Sequence, residues 1–140
     1  MKEAKREERF SPDLYRVIDA NLNRLKEGIR VIEDVARYLQ NDTPLASRLK
    51  TLRHDSRIDD LPNLLRARDS LNDVLRPTVQ SEMKRDTLES ILVANYKRAQ
   101  ESSRVLEEMY KVVDPSLSEN FKTIRYTLYS LEKEHLLSSE

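Results

Sequence analysis

The sequence predicts an all-α protein in which a duplicated helical hairpin forms a helical bundle with an irregular central insert. Three observations favour this fold class. The 140 residues include one glycine and five prolines, so there is little material for tight turns between strands. Apolar residues recur at helical spacing over long segments. Finally, one helical segment repeats the polar residues of another at the same positions.

The first helix of the first copy is predicted to begin at Ser11-Pro12-Asp13, with a hydroxyl cap, a proline at the first position and an acid in the first turn. An apolar stripe then predicts one long helix ending near Gln40. The members of the stripe are Leu14, Ile18, Leu22, Leu25, Ile29, Ile32, Ala36 and Leu39. Asn41-Asp42-Thr43-Pro44 breaks this helix, and Asp42 or Thr43 caps a second helix that runs to about Asp55.

The middle of the chain, 56–80, has two prolines, several cap-type residues and short leucine clusters, which predict short helical turns and a structured loop. The helical pattern resumes from about Ser81. Asp114-Pro115-Ser116 breaks it again, and a last helix follows. The apolar residues of that last helix are Leu117, Phe121, Ile124, Leu128 and Leu131.

An internal repeat organises these helices. The segment "ANLNRLKEGIRVIED" at 20–34 returns as "ANYKRAQESSRVLEE" at 94–108, and "LKTLRH" at 49–54 returns as "FKTIRY" at 121–126. We therefore divide the chain into a polar arm, 1–10, and a single helical domain, 11–135. Within that domain, repeat one spans 14–57, the insert 58–86 and repeat two 87–133.

The composition excludes several classes of function. Twenty-five basic and 25 acidic residues cancel, so no net field favours nucleic acid or an anionic membrane surface. Cysteine is absent, which excludes disulfides and a cysteine nucleophile. No apolar run reaches the roughly 20 residues that span a bilayer, and the start, "MKEAKREERF", lacks the apolar part of a secretory signal. These features predict a cytoplasmic protein.

The repeated polar letters allow two interpretations. Arg24, Glu27, Arg30 and Glu33 step by three, so they can form a ladder of ion pairs along one helix, each contributing roughly a few tenths of a kcal/mol. Alternatively, the retention of arginine rather than lysine indicates planar, bidentate recognition. In that case two facing helices form a cleft for an anionic small molecule. The arginines that line it are Arg24, Arg30, Arg98 and Arg104.

The insert offers a second candidate site. In "RARDSLNDVLRPT", Asp69 and Asp73 are four residues apart and arginines surround them. Paired aspartates can hold a metal such as Mg²⁺. Capping by Asp69 and Ser70 is the commoner explanation of an Asp-Ser pair.

Three blocks of the sequence resemble a known family. They are "RVIDANLNRLKEGIRVIEDVARY", "RDSLNDV" and "ANYKRAQESSRVLEE…FKTIRYTLYSLEK", within about 14–133. They look like the helical domain found at the N-terminus of some thiamine-phosphate synthases. They are also similar to a family described as a monofunctional hydroxymethylpyrimidine-phosphate kinase. The resemblance implies an enzyme of thiamine biosynthesis that converts hydroxymethylpyrimidine phosphate to its diphosphate with ATP and Mg²⁺.

The positions within these motifs then suggest residue roles. The four arginines of the cleft would clamp phosphates as catalytic residues. Asp69 and Asp73, or alternatively Glu27 and Glu101, would bind the metal. Substrate contacts are expected from Asn21, Asn95, Glu27, Glu101, Arg68 and Ser70. The alternative is a non-enzymatic helical module that docks on thiamine-phosphate synthase or drives oligomerisation. Tyr126 and Tyr129 on the last helix favour a homodimer.

Overall fold

The computed structural model describes residues 12–77 and 86–138, and these residues form five α-helices and one π-helical segment. The elements are α1 (Pro12–Asp34), the π segment (Val35–Leu39), α2 (Thr43–Asp55), α3 (Leu61–Ala67), α4 (Leu88–Val113) and α5 (Pro115–Ser138). The predicted all-α class is confirmed, and the parts of the chain just named contain no strand. The polar arm at 1–10 and the capping residue Ser11 lie outside the described residues.

The bundle is built around α1 and α4, which pack against each other. The other helices flank this pair: α2 and α3 lie on α1, whereas α5 lies on α4. The helices bury most of the apolar residues that the sequence predicts for the core, and these residues form one continuous cluster. Its central members from the two long helices are Ile18, Leu22, Leu25, Ile29, Ile32, Leu92, Tyr96, Ala99, Leu106 and Tyr110.

The two central helices approach closely at Gly28, the glycine of the sequence. A Cβ atom at this position would lie 3.2 Å from the backbone oxygen of Asn95 and 3.5 Å from the Cβ of Ala99. The absence of a side chain therefore allows α1 and α4 to pack backbone against backbone. This contact explains why a helix contains a residue of poor helix propensity.

The end of the first long helix differs from the prediction. Its last turn is π-helical, from Val35 to Leu39, and the chain turns at Asn41 with a positive φ of 52°. Leu39, predicted as the last member of the buried stripe, is 65% exposed. A π turn takes up more residues than an α turn, so it rotates the residues that follow it away from the core.

Side-chain caps set the other helix boundaries. Asp42 accepts a hydrogen bond from the backbone N–H of Leu45 at 3.1 Å, which confirms the predicted cap of α2. Thr87 and Ser90 form a reciprocal capping box, and this box starts α4 at Leu88. The predicted return of the helical pattern near Ser81 lies outside the described residues. The break at Asp114 is confirmed, because α5 begins immediately afterwards.

In the part of the chain that the structure covers, none of the helices is both long and apolar enough to cross a membrane.

Candidate functional site

A cavity of about 550 Å³ opens between the N-terminal half of α1 and the segment that follows α3. This volume falls in the range of small-molecule sites. The side chains around it are mainly charged or polar. The charged residues of the lining are Asp13, Arg16, Asp19, Arg24, Arg68, Asp69 and Asp73. The cavity therefore combines three guanidinium groups with four carboxylates.

A bidentate ion pair in the cavity lining joins Asp19 to Arg68. Nε and Nη2 of Arg68 each donate a hydrogen bond of 2.8 Å to the two carboxylate oxygens of Asp19. Asp19 is buried, with 5% of its surface exposed, whereas the Arg68 side chain is 42% exposed. Hydrogen bonding to Asp19 raises the pKa of Arg68, and the charge of Glu27 adds to the increase. Arg68 is thus a fixed cation at the cavity wall.

Arg16 ties the segment after α3 to α1. Its Nη2 donates hydrogen bonds of 3.3 Å to the backbone oxygens of Asp69 and Asn72. Both contacts bring the polar loop against the N-terminal half of α1. Arg16 therefore holds the loop against α1 and also lines the cavity.

Asp69 and Asp73 act as local caps of this loop. The carboxylate of Asp69 accepts hydrogen bonds from the backbone N–H of Asn72 at 3.1 Å and from its Nδ2 at 2.8 Å. The side-chain bond from Asn72 lowers the pKa of Asp69. Asp73 accepts one from the backbone N–H of Leu75 at 3.0 Å. The capping interpretation thus describes the observed contacts, while metal binding by the two aspartates stays a prediction. Among the described residues no group of three or more histidine or acidic side chains could hold a metal.

The repeated asparagines make the same contact in both copies. Nδ2 of Asn21 donates to the backbone oxygen of Val17 at 2.9 Å, and Nδ2 of Asn95 donates to that of Ile91 at 2.8 Å. Each bond runs one turn back along its own helix. Asn21 also lines the cavity.

The repeated arginines occupy different surroundings. Arg24 is exposed and lines the cavity. Arg30 pairs with Asp34 one turn further along α1, at 3.2 Å. Arg104 pairs with Glu108 at 3.4 Å and, together with Glu101, lines a second cavity of about 390 Å³ beside Tyr129. Arg98 is exposed on α4, outside the lining of the first cavity.

Of the other predicted substrate contacts, Ser70 lines the first cavity beside Asp69, and Glu27 lies near enough to Arg68 to affect its pKa. Glu101 lies with Arg104 in the second cavity. The structure therefore brings together Asn21, Arg24, Arg68, Ser70, Asp69 and Asp73. The roles of all these residues in binding stay predictions.

Sequence reasoning missed Asp13, Arg16, Asp19 and Asn23 of the cavity lining. Asp19 had one usable signal: it adjoins Ile18 of the buried stripe, and a buried carboxylate requires a cationic or hydrogen-bonding partner. The repeat could not reveal it, because the equivalent position in the second copy is Val93.

Comparison with known proteins identifies the family of the chain. The sequence profile of the ThiD2 family matches residues 16–134, which include every helix except the ends of α1 and α5. The chain belongs to the ThiD2 family. Its relatives include proteins that are named thiamine-phosphate synthase, and three of them are compared with the chain. The chain is 39% identical to the protein of Nostoc punctiforme over 120 residues, which are 85% of this chain and 34% of the relative.

The other two show the same proportions. The protein of Thermosynechococcus vestitus is 40% identical over 121 residues, 86% of this chain and 34% of the relative. That of Rhodopirellula baltica is 36% identical over 129 residues, 89% of this chain and 34% of the relative. The ThiD2-family chain thus spans about a third of the length of these relatives. No solved structure matches the chain.

These names correct the predicted activity. The place of the chain in thiamine biosynthesis is supported, because its relatives make thiamine phosphate according to their names. The predicted ATP-dependent kinase, with its phosphotransferase class, is wrong by this comparison, since a thiamine-phosphate synthase is an enzyme of a different type. The comparison gives no support to ATP or Mg²⁺.

Proposed function

We propose that this ThiD2-family chain takes part in thiamine-phosphate synthesis by binding a phosphorylated, thiamine-related small molecule in the cavity beside α1. The observation that carries the proposal is the set of three arginines, Arg16, Arg24 and Arg68, around one small-molecule cavity. The relatives are named for thiamine-phosphate synthesis, a reaction that involves phosphorylated ligands of this kind.

The chemistry of the lining supports a ligand with a phosphate at one end. Guanidinium groups bind phosphate oxygens through paired, charge-assisted hydrogen bonds. Carboxylates can accept hydrogen bonds from amino groups of a heterocycle, and Asp13 and Asp73 are exposed in the lining. A molecule with an anionic end and a hydrogen-bond-donating ring would therefore use both kinds of side chain.

We further propose that the chain acts with the synthase part that makes up the remaining length of its relatives. The coverage of about a third of each relative supports such a division of labour. The proposed setting is the cytoplasm. The predicted homodimer is part of the same proposal and is tested by the molar mass of the chain in solution.

Calorimetric titration of the purified chain tests the binding proposal. Thiamine phosphate and hydroxymethylpyrimidine phosphate are each compared with the same compound lacking the phosphate. We expect one phosphorylated compound to bind at least about tenfold more tightly than its dephosphorylated form, because charge-assisted hydrogen bonds contribute about 1.5–3 kcal/mol. Equal affinity within both pairs, or no binding of any of the four compounds, would overturn the proposal.

A variant outside the cavity provides the control for this titration. Arg48→Ala removes an exposed arginine of α2 that pairs with Glu134 at 2.6 Å and belongs to a different cavity. We expect this variant to bind the phosphorylated ligand as the unmodified chain does. A loss equal to that of a cavity variant would indicate nonspecific attraction of the anion to surface arginines.

A further inference from the structure

We infer that Asp19 is a positioning residue, whose carboxylate holds the guanidinium of Arg68 in the orientation in which that group meets the phosphate of the ligand. The inference rests on the proposed function, since it concerns the same cavity. It assigns to a buried acidic residue a part in binding an anion.

The geometry of the pair fixes the plane of Arg68. Two parallel hydrogen bonds of 2.8 Å, from Nε and Nη2, hold the guanidinium against both oxygens of Asp19. Such a bidentate pair restrains the rotation of the planar group. The opposite edge of the guanidinium, with Nη1, makes no hydrogen bond to another described residue. Arg68 lines the cavity. Because Asp19 already restrains its guanidinium, Arg68 loses less rotamer entropy when it binds an anion there.

Asp19 is itself held in place. It lies on α1 with 5% of its surface exposed, and Nδ2 of Asn23, one turn along the same helix, donates to its Oδ1 at 3.4 Å. A carboxylate fixed on a packed helix gives Arg68 a rigid support, whereas Arg68 itself lies at the start of a loop. Binding geometry is preserved best when rigid elements support the contacting groups.

Comparison with two other ion pairs of the chain separates this role from plain stabilisation. Arg53 and Arg125 also bind buried glutamates, and their side chains are only 20% and 11% exposed, compared with 42% for Arg68. Those two pairs are equivalent in the internal repeat. The pair of Asp19 and Arg68 has no such counterpart, because the position equivalent to Asp19 is Val93. The unrepeated pair is the one that opens to the cavity.

The sign of one mutational effect distinguishes positioning from simple electrostatics. An aspartate beside an anion site repels the ligand, so on Coulomb's law alone its removal strengthens binding. If Asp19 instead positions Arg68, removal of the carboxylate frees the guanidinium and weakens binding. Asp19→Asn is the suitable change, because it keeps the volume and one acceptor oxygen while removing the charge.

The test is calorimetric titration of Asp19→Asn with whichever of thiamine phosphate and hydroxymethylpyrimidine phosphate the unmodified chain binds, here called the phosphorylated ligand. The same compound without its phosphate is titrated for comparison. We expect about tenfold weaker binding of the phosphorylated ligand, the loss of one charge-assisted hydrogen bond, and little change for the dephosphorylated form. The matched control is Glu33→Gln, which makes the same change in the pair with Arg53. It should lower stability and leave both affinities unchanged.

Arg68→Lys is the second variant, and it keeps the charge while removing the planar fork. We expect it to weaken binding of the phosphorylated ligand, and Asp19→Asn should then have no further effect in the Arg68→Lys background. Unchanged or tighter binding by Asp19→Asn, equal losses for both ligand forms, or full affinity of Arg68→Lys would each overturn the positioning role. Failure of the proposed function looks different, because the unmodified chain itself would then show no preference for the phosphorylated ligand.

Discussion

Glu33 and Glu107 have equivalent partners in the two halves of the bundle. Glu33 accepts hydrogen bonds of 2.7 and 3.2 Å from Arg53, and Glu107 accepts bonds of 3.2 and 2.8 Å from Arg125. Each glutamate is buried on a long helix, and each arginine lies on the shorter helix that follows it. The repeat therefore preserves an ion pair that joins the two helices of each hairpin.

We predict that Arg53→Ala lowers the free energy of unfolding by about 3 kcal/mol. The substitution would leave the carboxylate of Glu33, whose side chain is 2% exposed, buried without its cation. Denaturation by urea, followed by circular dichroism, measures the effect. The control is Arg66→Ala on α3, where the arginine is exposed and bonds only to Asn63 among the described residues; it should change stability by less than about 0.5 kcal/mol. Equal stability of the two variants would contradict a structural role for the pair.

The sequence predicts the bundle well because its signals are local. Apolar spacing, the cap at Asp42 and the proline after Asp114 each act within a few residues, and the structure confirms all three. The outward turn of Leu39 could not be predicted in this way. A π turn depends on how the end of a helix packs, not on the spacing of its residues.

The candidate site was harder to predict for a different reason. The internal repeat draws attention to residues that occur in both copies, such as Glu33 and Asn21. Their hydrogen bonds mainly stabilise the fold. The cavity instead depends on Arg16 and Asp19, at positions where the copies differ. The hydrogen-bond partners of Arg16 and Asp19 lie in the segment after α3, 49 to 56 residues away in the sequence. Spacing within one helix cannot reveal such pairs.

The internal repeat supplies a matched pair of variants for the cavity. Arg24 and Arg98 are equivalent in the repeat and both exposed, but only Arg24 lines the cavity. We predict that Arg24→Ala weakens binding of the phosphorylated ligand by about tenfold, whereas Arg98→Ala leaves it within about twofold. Titration of both variants with the same ligand measures the difference. Equal losses would instead favour a cleft shared by the arginines of both copies.

The close contact at Gly28 gives a prediction about packing. We predict that Gly28→Ala lowers the free energy of unfolding by about 1 kcal/mol. The new Cβ would lie 3.2 Å from the backbone oxygen of Asn95, and moving packed helices apart costs about 2 kcal/mol, whereas the gain in helix propensity is about 1 kcal/mol. Thermal unfolding measures the change, with exposed Ser130→Ala on α5 as the control. A more stable Gly28→Ala variant would show that α4 can move away at little cost.

His135 lies in a buried hydrogen-bonded chain that links three parts of the bundle. The hydroxyl of Tyr96 lies 2.8 Å from Nδ1 of His135, and Nε2 of the same ring lies 2.6 Å from Oε1 of Gln40. An amide oxygen only accepts, so this arrangement fits a neutral ring that donates from Nε2 and accepts at Nδ1. Burial lowers the pKa of His135, and the charge of Asp42 opposes this decrease.

This lowered pKa predicts that stability falls on mild acidification. The ordinary pKa of histidine is about 6.5. As the pH falls below that value, the histidine of the unfolded chain gains a proton while the folded ring, with its lower pKa, stays neutral. Protonation therefore favours the unfolded state until the pH reaches the lower pKa of the folded ring. Well above pH 6.5 both states are neutral, and the stabilising contribution of the buried histidine is fully present.

We expect His135→Gln to show a smaller loss of stability than the unmodified chain between pH 7.5 and pH 5, in urea titrations at each pH. Carboxylates titrate in both proteins and cancel in the difference. His54→Gln, which replaces an exposed histidine of α2, is measured alongside as the control for the loss of a histidine. Parallel curves for His135→Gln and the unmodified chain would mean that the buried ring takes up its proton as readily when folded as when unfolded.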